Sequence, residues 1–354
     1  MDAFYGGAIT KTLNKVILLV FIVIGAFLRV YNIDFQTMGT EEIYTLDIVR
    51  LPIMGIITNF DYTPPVYNLL AHFSYVLFNG YDVAIRYPAV VAGILLIPTM
   101  YYLGLQYKDE IVGLYCAGVT AILVPMIYYS QYARAYSLSM LCFVIALILY
   151  LRLKENDDLN TRLAFWIMVV VNLYVHLFTL IPFSLLCLDL LMSRKHWLCG
   201  IGTTICSLPI AGVVLSVLSA RNGSGFNYGA SPLQMTVLTF PEFFNSIFLN
   251  ILILAGAGAW LYKNKIRGNL IVITVVTLIV GIVGSAITPT FPRYLMSAAI
   301  VILLFASVGI VELTGILNKK VGVDLTYVVM IGIFIIFTWM MWDNLVSHYT
   351  IMQY

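Results

Sequence analysis

Residues 33–62 place an unusual number of acidic side chains between two apolar segments. They read IDFQTMGTEEIYTLDIVRLPIMGIITNFDY. Their five carboxylates are Asp34, Glu41, Glu42, Asp47 and Asp61. A carboxylate can accept a proton or pair with arginine. Charged residues make up only 10% of this chain, against about a quarter in a soluble domain. A cluster of this kind therefore indicates the chemical centre of the protein.

The rest of the composition predicts the surroundings of this centre. Hydrophobic residues make up 61% of the chain, whereas soluble domains are about half apolar. The sequence therefore predicts an integral membrane protein with an all-α, polytopic fold in the lipid bilayer. The five cysteines lie in apolar runs without metal-ligand spacing, which favours a role in the core. No long basic run occurs, so no nucleic-acid partner is expected.

Eleven apolar segments are candidates for membrane-spanning helices, which need roughly 20 residues each. The predicted spans are 13–32, 88–106, 111–129, 137–153, 163–177, 178–193, 197–218, 243–262, 269–287, 294–315 and 325–343. A further apolar segment, 64–80, would be about 25 Å long as a helix, short of a hydrocarbon core of about 30 Å. We predict that it lies in the membrane interface, with Thr63 as its N-cap and Pro64 at its first position. Residues 1–354 are expected to form one membrane domain without a soluble domain.

The basic residues predict how these spans are oriented. With a cytoplasmic N-terminus and a non-spanning 64–80, the cytoplasmic side carries 13 of the 19 basic residues and all nine lysines. The outer side keeps only arginines, namely Arg29, Arg50, Arg86, Arg134, Arg221 and Arg293. The positive-inside rule favours this arrangement. Residues 33–87 then form the first outer loop, and the site faces the extracytoplasmic side of the cell membrane.

Glu41 and Glu42 are the first candidates for acid–base chemistry. Thr40 is predicted to cap a helix that runs to about Arg50, and acidic residues in its first turn suit the helix dipole. Two solvated glutamates that only stabilise this helix are the simpler alternative. Adjacent helix positions point about 100° apart, so one glutamate can face inward while the other makes a structural contact.

The outer arginines are the second clue, because a planar guanidinium suits bidentate binding of phosphate. Arg134 lies in the segment SQYARAY and Arg293 in FPRY, each at the outer end of a predicted span. The alternative is that these side chains extend to lipid headgroups, which has more weight for Arg29 and Arg86. Recognition of a phosphate is therefore predicted for Arg134 and Arg293 above all.

His176, in the segment YVHLF, is a weaker candidate at the predicted outer depth. A lone histidine is more often a hydrogen-bonded core group than a ligand. The sequence has no zinc-ligand spacing, no phosphate-cradling glycine loop and no nucleophile elbow. The candidate chemistry is thus limited to carboxylates, arginines and their aromatic neighbours.

The order of these motifs resembles that of the polytopic, lipid-donor glycosyltransferases of the GT-C class. RVYNIDFQTMGTEEIYTLDIVR is similar to their first-loop signature, TPPVY to the Pro-Pro start of their juxtamembrane helix, and AIRYP to the start of their second span. SQYARAY, YVH and PRY complete the series. The similarity is strongest to the branch that holds protein O-mannosyltransferases and the lipid A aminoarabinose transferase.

This resemblance implies an outer-face active site, a polyprenyl-phosphate sugar donor and inversion at the anomeric carbon. It implies that Glu41 is the catalytic base. The expected substrate-binding residues are Glu42, Asp61, Arg86, Arg134, Tyr136, His176, Arg293 and Tyr294. The family's first acid is usually aspartate, and many members carry a second acid where Tyr136 and Ser137 stand here. The second departure favours a mechanism without a metal ion or other cofactor.

The residue types support the same chemistry without the family. A lipid phosphate is already a good leaving group, so one carboxylate base and neutralising arginines would suffice. The acceptor hydroxyl could belong to a glycan, a lipid or a protein. A transporter or flippase of an anionic or sugar-linked lipid is the main rival, but its ionisable groups usually lie near mid-membrane. Asp189 and Glu312 come closest to that depth, and both fall near predicted inner ends. A non-catalytic membrane scaffold is a third interpretation, which leaves the carboxylate cluster unexplained.

Overall fold

The computed structural model describes residues 2–58, 64–192, 231–262, 269–286 and 291–350, with five single positions between 197 and 208. This part of the chain is helical and contains no strand, which confirms the predicted all-α fold. In chain order the helices are α1 (Asp2–Val30), α2 (Thr40–Val49), α3 (Ile53–Thr58), α4 (Pro65–Leu77), α5 (Tyr87–Tyr107), α6 (Glu110–Ile122), α7 (Val124–Tyr128), α8 (Tyr136–Glu155), α9 (Leu159–Val175), α10 (Leu180–Met192), α11 (Pro232–Phe244), α12 (Phe248–Leu261), α13 (Leu270–Gly284), α14 (Met296–Val321), α15 (Thr326–Met340) and α16 (Trp342–Thr350). Short 3₁₀ helices occupy Asp82–Arg86, Leu177–Thr179, Asn245–Ile247 and Pro292–Leu295.

Several of these helices are long and apolar enough to cross a membrane. Within the described residues, the five that pass by length and composition are Thr10–Val30, Asp82–Tyr107, Tyr136–Glu155, Pro232–Leu261 and Pro292–Val321. Helices α15 and α16 would together make a sixth, bent by 50° at their junction. The chain is thus built as a multi-pass membrane protein. The number of eleven spans stays a prediction, and most of the predicted span 197–218 lies outside the described residues.

The predicted span 111–129 is broken in the structure. Helix α6 ends at Ile122, Leu123 is extended, and the short helix α7 follows. Pro125 explains the break, because it lacks an amide hydrogen and its ring clashes with the preceding turn. The last carbonyls of α6 therefore need donors from elsewhere in the fold.

Arg29 supplies those donors from the end of α1. Its side chain is fully buried, and it donates to the carbonyl oxygens of Thr120 at 2.8 Å and of Ala121 at 3.0 Å. It also donates to the Ser130 hydroxyl at 3.2 Å. Gly93 leaves room for this contact, since a Cβ there would collide with Ser130. The alternative that Arg29 extends to lipid headgroups is therefore wrong.

Two predicted helix starts are displaced by one residue. The N-cap of α2 is Gly39 rather than Thr40, because the Glu42 carboxylate accepts the Gly39 amide at 3.3 Å and completes the helix start from its third position. The N-cap of α4 is Pro64, and Pro65 takes the first helical position. Thr63, which was expected to cap α4, lies outside the described residues.

The elements around α2 form a compact support. Leu46 and Val49 of α2 belong to one buried cluster with Tyr67 and Ala71 of α4 and with Ile85 of the 3₁₀ helix. The Tyr67 hydroxyl donates to the Ile85 carbonyl at 2.9 Å. Because buried side chains of this kind are packed to crystal-like density, α2 is held in one orientation and its first turn has a defined direction.

Helices α12 and α14 lie very close together. Gly258 and Gly309 face each other, and a Cβ on either glycine would collide with the backbone of the other helix. Small residues permit this close approach of membrane helices. Helix α14 is buried along most of its length, so the 3₁₀ helix at its start is attached to the rigid centre of the molecule.

Candidate active site

Glu41 lies in the first turn of α2, and its carboxylate meets two arginines from distant parts of the chain. Its Oε1 accepts a hydrogen bond from Arg293 Nη2 at 2.7 Å, and its Oε2 lies 3.4 Å from Arg134 Nε. The Tyr136 hydroxyl donates to Glu41 Oε2 at 3.4 Å and accepts from Arg293 Nε at 3.1 Å. The Glu41 side chain remains 28% exposed. A base candidate, two cations and a phenol therefore share one accessible place.

Glu42, the next residue, faces the protein interior. Its side chain is 1% exposed, and Arg86 binds both carboxylate oxygens at 2.8 Å through Nε and Nη2. The Ala133 amide donates to Oε1 at 2.7 Å, and the Gly39 amide donates to Oε2. Both oxygens are thus engaged by protein donors, which favours a positioning role over contact with a substrate.

Arg86 extends this connection into the loop before α2. Its Nη1 donates to the Ile33 carbonyl at 2.6 Å, and its Nη2 donates to the Gln36 carbonyl at 3.0 Å. The pair with Glu42 therefore joins the first turn of α2, the loop before it and the start of α5. Breaking a buried ion pair by removing one partner costs about 3–5 kcal/mol, so this pair holds Glu41 in place through its neighbour.

Arg134 is positioned by the segment between α7 and α8. Gln131 fixes this segment to the end of α1, since its side-chain amide donates to the carbonyls of Arg29 at 3.1 Å and Tyr31 at 2.9 Å. The Arg134 guanidinium also donates to the Thr45 hydroxyl at 3.3 Å. Its side chain is 16% exposed, so it can still meet a ligand.

Arg293 comes from the 3₁₀ helix that precedes α14. Its guanidinium lies 4.1 Å from the centroid of the Phe291 ring, a cation–π contact that limits its motion. The side chain is 22% exposed. The Arg293 guanidinium is therefore held against one ring while the side chain stays partly accessible, as a phosphate ligand must be.

A group of aromatic rings extends the site next to Arg293. The Tyr136 and His176 rings are 5.7 Å apart, and the His176 and Tyr294 rings are 5.6 Å apart. These three residues and Arg293 line one small cavity. The structure thus brings Glu41, Arg134, Tyr136, His176, Arg293 and Tyr294 together. Asp61, which was also expected to bind substrate, lies outside the described residues.

Three residues that sequence reasoning missed also border Glu41. Tyr128 and Tyr132 stack at 5.6 Å, and His348 Nε2 of α16 donates to Gln131 Oε1 at 2.7 Å. Burial and the nearby Glu41 carboxylate raise the pKa of Tyr132 above its usual value, so its hydroxyl stays protonated. His348 follows the last predicted span and carries no motif. The tyrosine spacing of four residues was the only local signal, since it places both rings on one side of a turn.

The acids nearest to mid-membrane in the sequence are both paired with lysine. Asp189 lies 2.7 Å from Lys154, and Glu312 lies 2.8 Å from Lys108. The Tyr150 hydroxyl adds a hydrogen bond of 2.6 Å to Asp189. Within the described ranges there is no group of three or more His, Cys, Asp or Glu side chains that could hold a metal ion. A mechanism without metal remains a prediction.

Neither a protein-family model nor a curated protein matches the sequence. The fold does match solved structures. ArnT from Cupriavidus metallidurans, bound to undecaprenyl phosphate, is 14% identical with a TM-score of 0.55, over 85% of this chain and 60% of that one. The oligosaccharyltransferase AglB from Archaeoglobus fulgidus, in complex with an inhibitory peptide and a dolichol-phosphate, is 14% identical with a TM-score of 0.59, over 88% and 52%.

The apo form of the Archaeoglobus fulgidus oligosaccharyltransferase has a TM-score of 0.61 at 13% identity, over 89% of this chain and 52% of that one. ArnT and AglB are both GT-C glycosyltransferases. The described helices therefore have the GT-C fold, as the order of the sequence motifs indicated. The chain spans between half and three fifths of the length of these structures.

Proposed function

We propose that this protein is an inverting glycosyltransferase. It moves a sugar from a polyprenyl-phosphate donor to a hydroxyl acceptor at the extracytoplasmic face of the cell membrane. The observation that carries the proposal is the Glu41 carboxylate between Arg134 and Arg293, with Arg293 at 2.7 Å. The polyprenyl phosphates in the structures of ArnT and AglB support this class of donor.

The reaction needs one base and a site for the leaving phosphate. The acceptor oxygen attacks the anomeric carbon, and its proton passes to the Glu41 carboxylate. The bond between the anomeric carbon and the phosphate oxygen breaks, and the lipid phosphate leaves with the electron pair. Arg134 and Arg293 offset the charge that develops on this oxygen, which is the kind of stabilisation that contributes most to many enzymes.

The ion pairs of Glu41 imply an order in which the donor and the acceptor bind. Without substrate, the Glu41 carboxylate is paired with both guanidinium groups, and the three groups together keep one positive charge. A phosphate binds guanidinium strongly and in a bidentate manner, so the donor competes with Glu41 for both arginines. Once the arginines turn to the phosphate, Glu41 is free to accept a proton. The donor then binds first and exposes the base for the acceptor.

Tyr136, His176 and Tyr294 would lie against the donor's sugar next to the phosphate. Their rings line the cavity at Arg293, and aromatic side chains combine a large apolar surface with a polar tip. This cavity measures only about 10 Å³, which is room for about one water molecule, so the rings must move apart for a sugar to enter. The Tyr136 hydroxyl already bridges Arg293 and Glu41. It can therefore pass from the carboxylate to the donor when the arginines move.

Transfer of a labelled sugar tests this proposal directly. Purified protein is incubated with a panel of polyprenyl-phosphate hexoses and pentoses and with glycoside, peptide and alcohol acceptors. We expect Glu41→Gln to abolish transfer while the donor still binds. Asp47→Asn, which changes an exposed acid on the same helix, should keep the wild-type rate. Full transfer by Glu41→Gln, or movement of the labelled lipid between leaflets without transfer, would reject the proposal.

A further inference from the structure

A second cavity, of about 360 Å³, borders Glu41. It shares no lining residue with the aromatic cavity at Arg293. Glu41 lines the second cavity and contacts Arg293 and Tyr136, which line the first. The carboxylate therefore stands at the boundary between two separate spaces. In a displacement with inversion the acceptor oxygen attacks the anomeric carbon from the side opposite the leaving phosphate, so a base at such a boundary can serve an acceptor on the side away from the phosphate.

The walls of this second cavity combine aromatic faces with polar groups. The Tyr128 and Tyr132 rings stack at 5.6 Å and 19°, and the His348 ring stands edge-on to Tyr128 at 5.8 Å. Gln131 lines the cavity beside them, and Thr37 is exposed at its rim. Small-molecule sites of about 300–1,000 Å³ are typically lined by aromatic residues with a few placed polar groups. The second cavity has this character.

The polar groups of the wall include some that a ligand can reach. His348 is 3% exposed, and its Nε2 donates to Gln131 Oε1 at 2.7 Å, so these two side chains pair with each other. Thr37 and Thr40 are exposed, and Glu41 is 28% exposed. A ligand with several hydroxyls can meet these groups together, whereas a plain alkyl alcohol can meet only one of them.

We propose that this cavity is the acceptor subsite and that the acceptor is a carbohydrate. The inference rests on the proposed transferase function and narrows its acceptor to one class. A sugar ring carries C–H groups on its faces, which suit the negative face of an aromatic ring. Its edge carries several hydroxyls, which suit the exposed hydroxyls of Thr37 and Thr40. One face then lies against Tyr128 and Tyr132 while one hydroxyl reaches Glu41.

The cavity's size and lining favour this ligand over a peptide. An extended peptide advances about 3.3–3.6 Å per residue and needs a long groove with backbone partners, whereas this cavity measures about 360 Å³. A terminal sugar fits as a compact unit. A free glycan and a lipid-linked glycan are both suitable sources, because both present the same ring and hydroxyls to the wall.

The test compares acceptors and wall variants of the full chain. Methyl glycosides of common hexoses, a lipid-linked disaccharide, a Ser/Thr peptide and farnesol are each offered with a labelled polyprenyl-phosphate sugar. We expect transfer to the sugars only. Tyr132→Leu and Tyr128→Leu should raise the KM for the glycoside about tenfold, which corresponds to about 1.4 kcal/mol. Tyr102→Leu, a tyrosine that is 57% exposed on α5, serves as the matched control.

A binding measurement separates this inference from the function itself. Saturation-transfer NMR should detect a methyl glycoside on the wild type and on Glu41→Gln, and lose it on Tyr132→Leu. Transfer to the peptide or to farnesol, or glycoside transfer that neither tyrosine variant changes, would overturn the acceptor assignment and leave the transferase standing. A wild type that neither transfers nor hydrolyses any donor, yet binds the glycoside, would contradict the proposed function alone.

Discussion

Arg293 Nη2 lies 2.7 Å from Glu41 Oε1, although the two residues are 252 positions apart in the chain. This contact joins the start of α14, a deeply buried helix, to the first turn of α2. Both side chains are partly exposed, Arg293 at 22% and Glu41 at 28%. A ligand can therefore reach both charged groups, and their position at an accessible cavity favours a chemical role.

Arg293→Lys should therefore impair transfer without unfolding the protein. A lysine is a single point charge and cannot bind Glu41 and Tyr136 at the same time as a planar fork does. We expect the turnover rate to fall by about 10²–10³, as for loss of one donor to a developing oxyanion. Labelled-sugar transfer measures the rate, and thermal unfolding checks the fold. Arg50→Lys, at the exposed pair with Asp82, should keep full activity. An Arg293→Lys enzyme that retained half of the wild-type rate would exclude Arg293 as a ligand of the leaving phosphate.

Arg86→Ala should show the opposite pattern, with a large loss of stability. It leaves the Glu42 carboxylate buried without its cation, and breaking such a pair costs about 3–5 kcal/mol. We expect a markedly lower unfolding temperature in detergent, and Glu41→Gln should change this temperature little. If Arg86→Ala unfolds at the wild-type temperature but loses donor binding, the prediction of Arg86 as a substrate ligand is favoured instead.

Glu41→Gln should bind undecaprenyl phosphate several-fold more tightly than the wild type does. The neutral amide no longer competes for the guanidinium groups of Arg134 and Arg293, which are then fully available to the phosphate. Titration calorimetry with undecaprenyl phosphate measures the affinity, and Asp47→Asn is the control. Weaker binding by the glutamine variant would contradict the proposed exchange of partners and the order in which donor and acceptor bind.

Arg29→Met should destabilise the fold, since it leaves the last carbonyls of α6 without donors. Each buried acceptor that loses its partner costs about 1–3 kcal/mol, and Thr120 and Ala121 are both affected. Thermal unfolding and yield in the membrane measure the effect. Arg152→Met, at an exposed arginine of α8, provides the comparison. Equal stability of the two variants would mean that Arg29 is not needed to cap α6.

Apolar run length and motif order predicted the helical fold and the neighbourhood of Glu41. Local sequence also placed the start of α2 within one residue, because its acidic first turn is a local property. It could not predict the burial of Arg29, since the carbonyls that Arg29 binds are freed by a proline break about ninety positions away. It missed His348 for a similar reason. A histidine after the last apolar run has no local feature that shows which distant loop it will meet.

Glu41 and Glu42 are neighbours on α2, so the contacts that fix Glu42 also determine the direction in which Glu41 points. The buried pair of Glu42 with Arg86 fixes the rotation of α2 about its own axis, and the angle of roughly 100° between successive residues then sets the direction of Glu41. The loop can change in length or composition during evolution and still orient Glu41 correctly, as long as the ion pair between Glu42 and Arg86 is kept. If this loop were grafted onto a related scaffold, Glu41 would be oriented correctly only if Arg86, which precedes α5, were transferred together with the loop.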